Sequence, residues 1–160
     1  MIKIKIICIG KLKEKYLNDA FKEYQKRLNS FCKFEVIELD EYKIKNNPSD
    51  SDINLCINNE GEKILSKISK NSYSIAMCIE GKLLSSLQLS KHIENITINN
   101  TGEINFIIGG SYGLSEKVKK QSDFLLSMSP MTFPHQLARV LLCEQIYRSF
   151  QIISGGKYHK

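Results

Sequence analysis

Short apolar runs alternate with helical patterns along the whole chain, and this alternation limits the possible folds more than any single motif does. Ile2, Ile4 and Ile6 alternate with Lys3 and Lys5 before the run turns fully apolar to Ile9, so a strand is predicted over 2–9, ended by Gly10. From Glu14 the residues Tyr16, Leu17, Ala20, Phe21, Tyr24 and Leu28 recur at helical spacing. A second strand is predicted over 33–39, a polar loop over 41–51, and a helix over 50–69 weakened in its first half by Asn and Ser. Then come a strand over 73–79 closed by Gly81, a helix over 85–95, a strand over 104–108 and a short helix over 114–120. A last strand at 124–128 and a long helix at 134–154 complete the series. Strands this short and apolar, each followed by a helix, predict an α/β fold with a mainly parallel sheet covered on both faces. No repeat, linker or composition break divides residues 1–160, so one domain is expected.

In such sheets ligands bind beyond the carboxyl ends of the strands. Three of those ends are marked by glycine or proline: Glu80-Gly81, Gly109 to Gly113, and Ser129-Pro130. Three special turns on one sheet edge read as one site. The glycine loop is not a dinucleotide fingerprint, because Ser111 and Leu114 stand where the third and sixth positions need glycine. It also lacks the Lys-Ser/Thr ending of a P-loop. Taken alone, it is as well explained as a plain turn.

The stretch MSPMTFPHQLARVLLCEQ, residues 128–145, holds two of the three prolines. Each fixes its own φ and disfavours helix in the residue before it, so Ser129 and Phe133 should be extended. Pro134 suits the first helical turn, with Thr132 or Phe133 at the cap. A stiff loop carrying Met, Thr and Phe can hold a flat ring by backbone hydrogen bonds; it can equally be a rigid connection needed only for folding. His135 falls in the first turn of the long helix, where the helix dipole favours neutral imidazole. Arg139 is one turn on, placed to clamp a phosphate or carboxylate.

Composition narrows the partner. Lys plus Arg number 23 against 17 Asp plus Glu, a net charge of +6, which suggests a polyanionic partner, nucleic acid first, and is equally explained by a solvated surface. Lys11, Lys13, Lys15, Lys22 and Lys26 concentrate that charge near the start of the chain, although such a run is also an ordinary solvated face. The five cysteines are odd in number and form no CxxC, and four lie in apolar runs, which reads as buried thiols in a reducing compartment. With three histidines far apart and no paired cysteines, no metal site is expected. The apolar run at Ile6–Ile9 is too short for a signal segment and nothing approaches a membrane span, so a cytoplasmic protein without membrane contact is expected.

The stretches GKLKEKY (10–16), EYQKRL (23–28), FIIGGSYGL (106–114), MTFPHQLARVLLCEQIYR (131–148) and the terminal GGKYHK together carry a specific resemblance. The chain resembles the SPOUT-class methyltransferases and, within them, the small bacterial family that methylates N3 of a pseudouridine in 23S rRNA. The resemblance covers the whole chain. It implies a deep C-terminal trefoil knot from about residue 73 onward, with S-adenosylmethionine as cofactor. Cofactor contacts are implied at Met77, Gly109, Met128, Ser129, Pro130, Met131, Thr132 and Phe133. It also implies a homodimer through the last helix, and a substrate in helix 69 of 23S rRNA in the assembled ribosome. His135, Arg139 and the terminal Tyr158-His159 are the candidates for catalysis, with Arg148 as a further cation. Met77 replaces a more usual Leu, Tyr112 a more usual Asn, and Pro130 removes a backbone donor. A non-catalytic RNA-binding factor on the same fold, and a flavodoxin-like nucleotide module, are the competing readings.

Overall fold

The computed structural model describes residues 1–99 and 102–160. Five strands, β1 (Lys3–Ile9), β2 (Lys33–Leu39), β3 (Tyr73–Leu83), β4 (Glu103–Ile108) and β5 (Phe124–Ser127), form one sheet in the order β2-β1-β4-β3-β5. Every neighbouring pair is parallel. The helices are α1 (Lys15–Leu28), α2 (Asp50–Leu65), α3 (Ser86–Ile98), α4 (Glu116–Gln121) and α5 (His135–Ile153). Among the described residues no helix is long and apolar enough to cross a membrane.

The two faces of the sheet bury different helices, as an all-parallel sheet requires. On one face Ile4, Ile6, Ile104 and Phe106 meet Phe21 of α1, Ile93 of α3 and Ile146 of α5. On the other, Ile7, Ile9 and Ile107 meet Ile64 of α2 and Val118 of α4. α2 starts sharply despite its polar first half. Ser49 accepts from the Asp52 N–H while the Asp52 carboxylate accepts from the Ser49 N–H, a reciprocal cap that offsets the weak propensity. The helix ends at Leu65, capped by Ser66, four residues short of the predicted end.

Gly81 does not close β3. The strand continues to Leu83, with a register break: Met77 and Lys82 both lie opposite Leu126. Residues 78–81 therefore bow out of the ladder, and Gly81 marks the return. A Cβ there would stand 2.7 Å from the backbone carbons of both Leu125 and Leu126, so only glycine lets β3 come back against β5. At the other end of β5, Pro134 is the N-cap of α5 instead of its first helical residue, with ψ 136° and no side-chain cap.

Candidate cofactor cleft and its surroundings

Beyond the carboxyl ends of β4, β3 and β5 lies an open cleft of about 790 Å³, within the range of small-molecule sites. Its walls are the bowed stretch at 77–80 inside β3, which takes in Glu80 but not Gly81 of the expected turn, the glycine loop at 109–114, and the loop at 128–135. Seven of the eight expected cofactor residues line it, namely Met77, Gly109, Met128, Ser129, Met131, Thr132 and Phe133. Pro130 does not; it is exposed and outside the lining, so it shapes the loop from without. An apolar cavity of about 370 Å³ adjoins the cleft, sharing Met77, Met128 and Phe133 and running between α3 and α5.

Both loops are held in shape by their own atoms. Gly109 sits against the backbone of Gly113, whose carbonyl carbon is 2.7 Å from where a Cβ would be. The Gly113 N–H closes the turn on the Gly110 carbonyl at 3.1 Å. In the second loop the Ser127 hydroxyl donates to the Ser129 carbonyl at 3.1 Å, and the Met131 N–H donates to Ser129 Oγ at 2.9 Å. Proline stiffness and these serine bonds act together, leaving Met131 and Phe133 projecting at the mouth. At the rim, Glu80 and Lys119 form an ion pair that holds the Glu80 carboxyl below its usual range.

His135 borders the cleft. Its Nε2 is buried without a hydrogen-bond partner. Burial lowers its pKa below 6.5; Glu41 opposes this, while Arg139 and Lys13 add to it. The imidazole is thus neutral at pH 7, and its buried Nε2 has no protein hydrogen-bond partner.

Arg139 is not placed as the sequence suggested. It is fully buried, donating to Glu38 Oε2 at 2.6 Å and to the Gly10 carbonyl at 2.9 Å. Its guanidinium ties α5 to the ends of β1 and β2 and does not line the cleft. Helical spacing showed that His135 and Arg139 share a side; it could not show that the side turns inward after one turn. The terminal pair is also away from the cleft. Tyr158 donates to Glu144 Oε2 at 2.9 Å, Arg148 lies 4.6 Å over its ring, and His159 Nδ1 is 3.3 Å from Arg148 Nη1. Arg148 follows His135 by thirteen residues, which is roughly 20 Å along the helix.

Sequence reasoning missed Glu60. It is buried under the glycine loop, near Gly110, and accepts from the Tyr42 N–H at 3.0 Å. Burial raises its carboxyl above 4.5. Its place in a helix with a weak apolar pattern gave no signal. The cysteines conform to expectation: four are buried, and burial pushes Cys8 up to about 11, away from nucleophilic use.

The family described as "Predicted SPOUT methyltransferase" matches residues 2–159. The chain belongs to the SPOUT methyltransferase family. It is a methyltransferase of that fold. A protein of Streptococcus thermophilus named ribosomal RNA large subunit methyltransferase H is 50% identical over 159 residues, covering 99% of this chain and 100% of that one. Proteins of the same name from Clostridium botulinum and Clostridioides difficile are 50% and 48% identical over 157 residues, each alignment covering 98% of this chain and 99% of the relative. A solved structure of a probable methylase family protein from Haemophilus influenzae matches with a TM-score of 0.56 at 12% identity, covering 98% of this chain and 70% of that one. That likeness concerns the fold alone, and it agrees with the parallel α/β architecture of this SPOUT methyltransferase.

Proposed function

We propose that the chain methylates N3 of a pseudouridine in helix 69 of 23S rRNA, in the assembled ribosome, using S-adenosylmethionine. The observation that carries the reading is the single cleft in which seven expected cofactor residues meet, on a chain half identical along its length to proteins named for rRNA large-subunit methylation.

The cleft fits the cofactor on its own features. Its volume suits a nucleoside joined to an amino acid, and its walls are mostly apolar, with charged groups at the rim. The close approach at Gly109 leaves no room for a side chain at that position, and His135 Nε2 has no protein partner. Met77, Gly109 and the loop from Met128 to Phe133 would hold the molecule. When bound, it supplies a methyl group made electrophilic by the sulfonium.

The protein's own work is alignment and proton handling. Two stiff loops hold the reactants in register, and such positioning supplies roughly 7–11 kcal/mol of a bimolecular barrier. Met131 and Phe133 at the mouth exclude water from around the target base. The N3 proton must leave as the new bond forms, and neutral His135 is the group in the cleft suited to receive it.

The protein acts as a homodimer through α5, with its C-terminal part threaded as a trefoil knot. Val140, Ile146 and Phe150 of α5 are buried against the sheet, while Leu137 and Ile153 remain exposed on the same helix. Apolar side chains left exposed near the two ends of this helix suit a second copy. Tyr158 and His159, distant from the cleft of their own protomer, would then serve the other one. Nothing in this reading calls for a metal, and a cytoplasmic location follows from the substrate.

The test is transfer of labelled methyl from S-adenosylmethionine to ribosomes lacking the modification, with free rRNA alongside. Label mapped to one pseudouridine of large-subunit RNA, in ribosomes and not in free rRNA, is expected. Cofactor binding without label on either would contradict the substrate.

A further inference from the structure

The segment from Gly10 to Lys15 runs beside the first turn of α5, next to His135, which borders the cleft, and is held there by its own contacts. The Gly10 N–H donates to the Leu39 carbonyl at 2.8 Å, and the Gly10 carbonyl takes Arg139 Nη2 at 2.9 Å. The Lys13 N–H donates to Gln136 Oε1 at 3.1 Å, beside His135 in the first turn of α5. Leu12 packs into the core between them. Four anchors fix the path of a stretch with almost no regular structure, and they leave the Lys11 and Lys13 side chains exposed.

Neither ammonium has a carboxylate partner among the described residues, unlike Lys15, which pairs with Asp19 one helical turn on. The nearby acids are Glu14 in the same segment and Glu41, which lies against Gly10. Lys13 is close enough for its charge to act on His135. Tyr16 follows, 69% exposed, a ring face beside the lysines. Unpaired cations with an open aromatic neighbour suit a nucleic-acid strand better than an acidic protein surface.

We infer that Lys11 and Lys13 form a phosphate-binding lip that grips the RNA backbone next to the nucleotide entering the cleft. This rests on the RNA methyltransferase reading and deepens it by separating these two lysines from the general positive charge. The Gln136 bond fixes their distance from His135, so phosphate contact sets how far the target base reaches in.

The experiment compares two double variants that lose the same charge. K11Q/K13Q removes the lip. K33Q/K70Q removes two exposed lysines beside the amino ends of β2 and β3, at the opposite edge of the sheet. Binding to intact ribosomes is measured against salt, methyl transfer is measured under the same conditions, and S-adenosylhomocysteine affinity is measured by calorimetry. Each lost phosphate contact should lower the slope of log affinity against log salt by about 1. K11Q/K13Q should therefore lose about 2 and raise KM several-fold, with S-adenosylhomocysteine affinity unchanged, while K33Q/K70Q keeps the wild-type slope. Equal slope changes in both variants, or none in either, would overturn the lip. Binding is read independently of turnover. A wild type that binds ribosomes with a lysine-dependent slope but transfers no methyl keeps the lip and sinks the catalytic reading.

Discussion

Substituting Gly81 by Ala tests whether the return of β3 against β5 builds the cleft. The new Cβ would lie 2.7 Å from the carbonyl carbons of Leu125 and Leu126 and 2.8 Å from the Leu125 oxygen, whereas ordinary contact begins at 3.4 Å. These are backbone atoms of β5, which cannot swing aside as a flexible side chain can. The strands must part by about 0.7 Å, which would stretch a ladder bond of about 2.9 Å to about 3.6 Å, beyond useful length. Overpacking of this kind costs about 1–3 kcal/mol. With a urea slope of about 1–3 kcal/mol per molar, the unfolding midpoint should fall by roughly 1 M. β5 leads directly into Met128, so the shift also reaches the cofactor loop, and S-adenosylhomocysteine affinity should fall at least tenfold for a displacement approaching ~1 Å. Urea unfolding at fixed protein concentration and calorimetry read the two effects separately. G81A with a wild-type midpoint and wild-type affinity would refute the close approach and the role given to it.

Glu60→Gln should stabilise the protein at pH 7. The folded carboxyl titrates above its unfolded value of 4.5, so the stability it contributes is present below 4.5 and is lost as pH rises through the folded value. The urea midpoints of variant and wild type should therefore converge below about pH 4.5. His135 has the opposite sense: its folded pKa lies below 6.5, so the protein should lose stability as pH falls under 6.5 and level off below the folded value. H135Q should flatten that part of the stability curve and remove the acid limb of kcat against pH. Arg139→Met leaves the Gly10 carbonyl without its buried donor, a loss of about 1–3 kcal/mol that thermal unfolding would register, and Arg139→Lys should recover part of it.

The sheet and all five helices were legible because buried parallel strands need continuous apolar residues and covering helices need one apolar stripe. The edge strand Lys33–Leu39, which carries Lys33, Glu35 and Glu38 and has no buried residue, nonetheless has the bounds its sequence predicts. The cleft was legible through its backbone punctuation, since glycine and proline report constraints that belong to the chain itself. What escaped depends on contacts between distant segments. Gly81 reads as a strand end because sequence shows a glycine and not the backbone of Leu125 facing it. Arg139 reads as a ligand clamp because its partners, Glu38 and Gly10, are about a hundred and more residues away. Glu60, from a mostly polar helix, becomes notable only once the glycine loop lies over it.

Hydrogen exchange with and without S-adenosylhomocysteine would test the central claim, that the bowed stretch of β3 and the loops after β4 and β5 form one cofactor site. Protection is expected at 77–80, 109–113 and 128–135, with β1, β2 and α2 unchanged. Saturating binding that protects other segments and leaves these three loops as they were would contradict it.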